Sequence, residues 1–600
     1  MGLGGLRVSL AVAALAAPAA LATSCSEAAG TSEKAADRPP TNGGGAGGSC
    51  FGVGCGNAGV GGSGGSAGGP PPEREIESAF RSPVATGRFV WTANPDSGRV
   101  ARVDATNLEV RTVDAGFGPT YLAAVPNPSA PDAPRAIVLN VKSHDATLLS
   151  AEASGAITTK TAPVHPGANA WAISARGRWA IAWSDVSLMG APDPTEGFQD
   201  ITVIDLGGAT PSSTRLSVGY RPTRFFIAAD ESRAFAVTEP GITVIELLAP
   251  SGPAISRDIA VSDEALADPA ARDVSVTPDG AYALVRHDGS AKIGIVTLTS
   301  GELTTATLPG AVTDLDLADD GTRAVAVMRG GDTVEPGDAG PDAGDASSAD
   351  GGSSDSGSED AADAADTRDA GFDAAPPPPA ESKVAVLPIP AIAGDKTRFD
   401  VVTLPGERVG SVALSPDAHT ALLFTNAFDS DRLTILNIAP GADYLAHRTV
   451  ALKAPIRAVF AAPDASHAIA LLEPDAGSAK PGAFSVVPIK STLPPKIQGT
   501  EAPPVSVAIA QAPLGRALVT VSNEPSRTFA TYLVRMPELV IDRLPLASAP
   551  IATGMIPVAE AGFVAEKHPE GRITFVQLAS GKARTLTGFE LGSKVVDGQR

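Results

Sequence analysis

Cysteine is close to absent. The 600 residues include only Cys25, Cys50 and Cys55, so no disulfide framework holds the body of the chain together. Aromatic residues make up 4%, and beyond the N-terminus no apolar run approaches the roughly 20 residues that a membrane-crossing helix needs. Bases are outnumbered, 46 Lys and Arg against 67 Asp and Glu, for a formal charge of -21. Nucleic acid is thereby excluded as a partner, because phosphate recognition rests on clustered Lys and Arg. His144, His165, His287 and His568 do not stand at metal-ligand spacing and Cys-x-x-Cys-His is missing, so no metal and no cofactor is expected. Much of the acidity is local: Asp332 to Glu381 hold 14 acids against one base, Arg368, and so carry -13 of the -21.

What is present begins with Arg7 and an apolar run from Val8 to Ala17, ending in Ala22-Thr23-Ser24-Cys25. This is the pattern of a secretory signal over residues 1–24, too short for a transmembrane helix. Its last four residues resemble the lipobox of bacterial lipoproteins, with Ala22 where that family prefers Leu. The resemblance implies a lipid on Cys25 and anchorage to a membrane, with the outer membrane as the expected place. Cleavage after Ala20-Leu21-Ala22, which leaves a soluble secreted protein, fits the small-x-small rule as well. Cysteine parity favours the lipid. Cys50 and Cys55 can close a small disulfide in an oxidising compartment, and acylation accounts for the odd Cys25. Residues 25–74 are rich in Gly, Ser, Ala and Pro, and the stretch from Ser26 to Pro72 is a tether with a root-mean-square span of roughly 40 Å.

From about Arg88 onward short runs of Val, Ile, Leu, Ala and Thr alternate with Gly, Pro, Asp and Asn, the signature of strands and turns. The pattern recurs about every 46 residues, within the range of four-stranded propeller blades. Its clearest copies are Arg272 to Gly280, Thr313 to Gly321 and Gly410 to Ala418; in the first, the strand runs into Pro278-Asp279-Gly280, a tight turn. Leu423-Phe424-Thr425-Asn426, Ile201-Thr202-Val203-Ile204-Asp205, Ile242-Thr243-Val244-Ile245-Glu246, Val218-Gly219-Tyr220-Arg221-Pro222 and Val412 to Asp417 supply the successive elements of a longer repeat. In that order they resemble the YVTN β-propellers of surface-layer and exported bacterial proteins, over most of residues 88–600. There is no Trp-Asp dipeptide of the WD40 kind.

The expected fold is therefore all-β: a propeller of four-stranded antiparallel blades over residues 75–600, with about ten repeat units and a single ring of seven to ten blades. The last unit lacks a clear fourth strand, which either Glu75 to Phe80 or the tail after Glu590 is expected to complete. The acidic stretch, residues 330–382, interrupts unit six between its second and third strands and has too little to bury to be ordered.

Candidate site residues follow from the aligned strand. Its second column holds Tyr121, Arg224, Asp273, Asp314, Ser411 and Ser506, positions that the resemblance places around the channel. Arg224, Asp273 and Asp314 come from consecutive units and are expected to be neighbours, either gripping a polar ligand at the channel mouth or tying blades together. Loops joining strands two and three, and those joining blades, form the usual ligand face of such propellers. His144, His165, His287 and His568 fall in them and are expected to be scattered surface groups. Trp171, Trp179 and Trp183 are expected in the core rather than as a carbohydrate platform. Without a nucleophile-base pair, the sequence favours a binding scaffold for an envelope protein or polymer over an enzyme. A propeller lactonase or lyase, working through Arg224, Asp273, Asp314 and a histidine, is the alternative.

Overall fold

The computed structural model describes residues 83–598 apart from 153–154, 190–192, 194, 263–270, 331–380, 475–476 and 590–594. Cys25, Cys50 and Cys55, with the signal and tether, lie outside the described residues, as does nearly all of the acidic stretch.

Ten separate antiparallel sheets follow one another along the chain, each a contiguous segment, and they close into one ring. Blade 1 spans 84–114 and blade 2 spans 119–163, followed by 170–217, 224–260, 272–307, 314–405, 411–451, 456–500, 504–545 and 550–598. First strands of successive blades adjoin, so they form the inner wall, and fourth strands form the rim. Period-two alternation gives every sheet two apolar faces, and the clusters between them mix neighbouring blades. Leu284 and Ile295 of blade 5, for example, pack with Leu315, Ala324 and Leu387 of blade 6.

The repeated sequence elements acquire physical roles. In blade 5 the Thr277 hydroxyl donates to Asp279 Oδ1 at 2.6 Å, and the same oxygen accepts the Ala281 N–H at 2.9 Å. Gly280 completes this turn at φ +66°, a conformation that favours glycine. The threonine of Ile-Thr-Val-Ile serves the link between blades: the Gly219 N–H, leaving blade 3, donates to Thr243 Oγ1 of blade 4 at 3.1 Å. Arginines bind carbonyls across the interfaces too, as Arg135 does to Gly177 O at 3.0 Å.

Ring closure departs from expectation. The inner strand of blade 1 is Val84–Thr86, immediately before the second strand Phe89–Asn94, and Val84 pairs with Trp91. Blade 10 has its own four strands, and Val595–Gly598 adds a fifth along its outer edge by pairing with Ala583–Thr587. The tail supplies no inner strand, and 75–80 lie outside the described residues. Among the described residues no ladder joins blades 1 and 10, as none joins any other two blades; Val90, Ala101, Val103 and Leu108 belong to one apolar cluster with Phe563, Phe575 and Leu586. The third strand of blade 6, Glu381–Pro388, starts within the last residues of the stretch set apart on composition.

Candidate functional site

All six residues of the aligned column sit on first strands. Arg224, Asp273 and Asp314 are brought together, on blades 4, 5 and 6. Arg224 Nη1 stands 3.8 Å from Asp273 Oδ1, a charge contact longer than a hydrogen bond. Across the sheet Asp273 is paired in register with Arg286, a residue the column did not contain. Arg286 Nη1 donates to Asp288 Oδ1 at 2.6 Å and to Thr313 O of blade 6 at 3.0 Å. Asp314 then passes the chain of contacts onward. Its Oδ1 accepts the Leu315 N–H at 2.8 Å, and its Oδ2 accepts the N–H of Val412, on the inner strand of blade 7, at 2.7 Å. Asp316 repeats that tie to the Leu414 N–H at 2.8 Å.

These carboxylates are buried: Asp273 is 5% exposed and Asp314 4%. Side chains of an inner strand stand on the faces of its sheet, and in a propeller those faces meet the adjoining blades while the strand edge meets the channel. The charges consequently lie between blades, and Arg224 is the member that reaches furthest out. Burial pushes the Asp273 carboxyl above the ordinary range, opposed by Arg224 and Arg286. Burial raises Asp314 as well, opposed by Arg286 and the two backbone N–H groups. Burial acts against charge on Arg286, but Asp314, Asp288 and Asp273 outweigh it and hold its pKa above the usual value.

The remaining column members serve elsewhere in the ring. Ser411 is buried at the start of the inner strand of blade 7. Ser506 Oγ lies 3.0 Å from Thr553 Oγ1 of blade 10, and Thr553 meets Thr520, which donates to Thr531. The Tyr121 carbonyl accepts the Trp171 indole N–H at 3.0 Å, joining blades 2 and 3. Trp171, Trp179 and Trp183 are all buried, as expected of core residues.

The histidines do not gather into a site, and one is not a surface group. His165, in the link from blade 2 to blade 3, is 3% exposed, with Nδ1 3.0 Å from Thr202 Oγ1 and Nε2 3.4 Å from Ser184 Oγ. Burial lowers its pKa to about 4, so it is neutral at pH 7. His144 lines the same crevice from an exposed turn. His287 ends the second strand of blade 5 opposite Arg272, and the His568 Nδ1 accepts the Glu570 N–H. Among the described residues no group of His, Cys, Asp and Glu could hold a metal ion.

The His165 environment sets a pH dependence. An unfolded histidine takes its proton near pH 6.5 but the folded one only near pH 4. The contribution is therefore present above pH 6.5 and is lost as pH falls through that window, by about 3 kcal/mol in total. Urea midpoints measured from pH 7 to pH 4 should fall, and His165→Gln should flatten the decline.

No protein-family model matches this sequence, and no curated protein does. Solved structures match in shape. Kuenenia stuttgartiensis hydrazine synthase aligns at 15% identity over 61% of this chain and 95% of its own, with a TM-score of 0.30. Dihydro-heme d1 dehydrogenase NirN in complex with DHE aligns at 11% identity over 79% of this chain and 81% of its own, TM-score 0.39. Apo AztD from Citrobacter koseri aligns at 11% over 67% and 92%, TM-score 0.35. This chain is a ten-bladed β-propeller. Likeness at this level carries no activity from those proteins to it.

Proposed function

We propose that this protein is an exported scaffold of the bacterial envelope, of the YVTN kind, held to the outer membrane by a lipid on Cys25 and binding an envelope protein or polymer through its ring. The observation that carries the reading is the use made of the polar groups on the inner strands and on the strand beside them. Asp314 and Asp316 bind backbone N–H groups of the next blade, and Arg286 binds a carbonyl of the next blade. Groups so engaged fix a rigid ring, and they would have to break those ties to act as the acid and base of a lactonase or lyase. The signal pattern, the cysteine count and the Gly-rich tether support export and anchorage.

The test is the intact mass of the protein extracted from its native membrane in detergent, beside a Cys25→Ala variant. The expected result is a chain that begins at Cys25 and carries acyl mass that the variant lacks. An unmodified chain beginning at Thr23 overturns the anchor and makes this a soluble secreted propeller.

A further inference from the structure

We propose that the corner formed by Phe117, Val141 and Lys142 is where the ring rests on a lipid surface. Phe117 lies in the link from blade 1 to blade 2, and Val141 and Lys142 lie in the turn between the second and third strands of blade 2. Phe117 is 63% exposed and Val141 36%. Elsewhere the exposed large apolar residues are dispersed. Leu248, Leu493 and Val558 sit in turns of the opposite face on blades 4, 8 and 10, and Ile255, Val401 and Val540 sit on rim strands. Among the described residues this corner is the place where two of them adjoin on one face.

The corner is built to hold its shape. The N–H groups of Lys142 and Ser143 donate to Phe117 O at 3.1 and 3.2 Å, and the Val141 N–H donates to Gly118 O at 3.0 Å. Ser143 Oγ accepts the Phe117 N–H at 3.1 Å. Gly118, at φ +72°, lets the link lie against Lys142, where an added Cβ would come within 3.0 Å of the lysine stem. Lys142 Nζ lies 5.0 Å from the centre of the Phe117 ring. An apolar ring held outward with a cation on it suits a bilayer interface, where the ring enters the acyl boundary and the ammonium meets phosphate. Nearby, Arg99 is paired with Asp114, so the local charge is close to balanced and the apolar contact leads.

The occupant follows from where the chain enters. Val84 is the first residue of the inner strand of blade 1, at the end of that strand that shares a face with Phe117, so whatever lies N-terminal to it leaves the ring beside this corner. Residues 332–381, with their charge of -13, connect the second and third strands of blade 6 and so belong to the same face as this corner, across the ring from it. Anionic lipid repels the blade 6 edge of that face, so the ring approaches tilted, on its blade 1 and 2 edge. This orientation deepens the anchored reading and rests on it for its role in the cell.

The test supplies the anchor chemically, so that it stands apart from native acylation. The chain from Cys25 onward, carrying Cys50→Ser and Cys55→Ser, is coupled through Cys25 to a maleimide lipid. It is placed in vesicles of phosphatidylethanolamine with a minor share of phosphatidylglycerol, with or without brominated acyl chains. Emission is compared for Phe117→Trp and, on the opposite face, Val558→Trp; the four native tryptophans are buried and give a constant background. The expected result is quenching of the 117 probe by about twofold, little at 558, and a loss of the difference with Lys142→Glu. Equal quenching at 117 and 558 overturns the docking, whatever the mass measurement says of Cys25.

Discussion

Arg286→Met is expected to lower the stability of the ring by about 3–5 kcal/mol, the cost of removing one partner from a buried group of charges. The arginine stands between Asp273, its cross-strand neighbour, and Asp314, and it hydrogen-bonds the blade 6 backbone. Methionine fills similar volume and leaves Asp314 without its main counter-charge and Asp273 with Arg224 alone. The loss should depend on pH in a stated direction. Without the cation the folded pKa values of Asp273 and Asp314, already raised by burial, rise further, while the unfolded values stay near 4. Stability that is present below pH 4 then falls as pH rises through the folded values, so the variant should be most impaired near pH 8 and partly recover near pH 5. Urea midpoints at the two pH values decide it. A second substitution, Asp314→Asn, should recover part of the loss, and a double-mutant cycle reads the coupling. A variant equally stable at both pH values would mean that the charges do not hold the blades.

The second large effect is expected at the seam. Phe563→Ala should cost about 3–5 kcal/mol, as for other fully buried aromatic side chains. Phe563 is 1% exposed and belongs to the cluster that joins blade 10 to blade 1. It also lies over Gly554, where an added Cβ would come 2.4 Å from its ring, so Gly554→Val should disturb the same contact from the other side. Each blade is a separate sheet that meets its neighbours through side-chain packing, so the damage should be local. Amide exchange is expected to quicken in Val84–Thr86 and Pro550–Ile556 well before it changes in Asp314–Leu317, across the ring. Uniform acceleration around the ring would show instead that the seam is no weaker than the other interfaces.

The ring itself is legible in the sequence because strand alternation and Pro-Asp-Gly turns are local signals that repeat, so the units can be counted along the chain. Ring closure is not legible. Val84–Thr86 is too short to show alternation and has no turn of the repeated kind before Phe89. The column that contains Asp273 and Asp314 can be aligned, and the structure places them on the inner strands of blades 5 and 6, the two that follow Arg224's blade. What alignment does not carry is direction. Period two separates the faces of a strand without saying that both faces of a propeller blade meet another blade, so residues expected at the channel lie buried between blades. Arg286 does leave a signal, a lone arginine in the apolar run Ala-Leu-Val-Arg-His. His165 leaves none, since its burial is made by Thr202 and Ser184 from another part of the chain.

The short inner strand of blade 1 has a mechanical consequence. Tension applied through the residues before Val84 enters the ring along three paired positions, fewer than in the first strand of any other blade. Every blade is a contiguous segment. Under load the chain should therefore unravel from that end, one blade at a time, with blade 1 as the fuse that yields first and lengthens the leash before the other nine feel the pull.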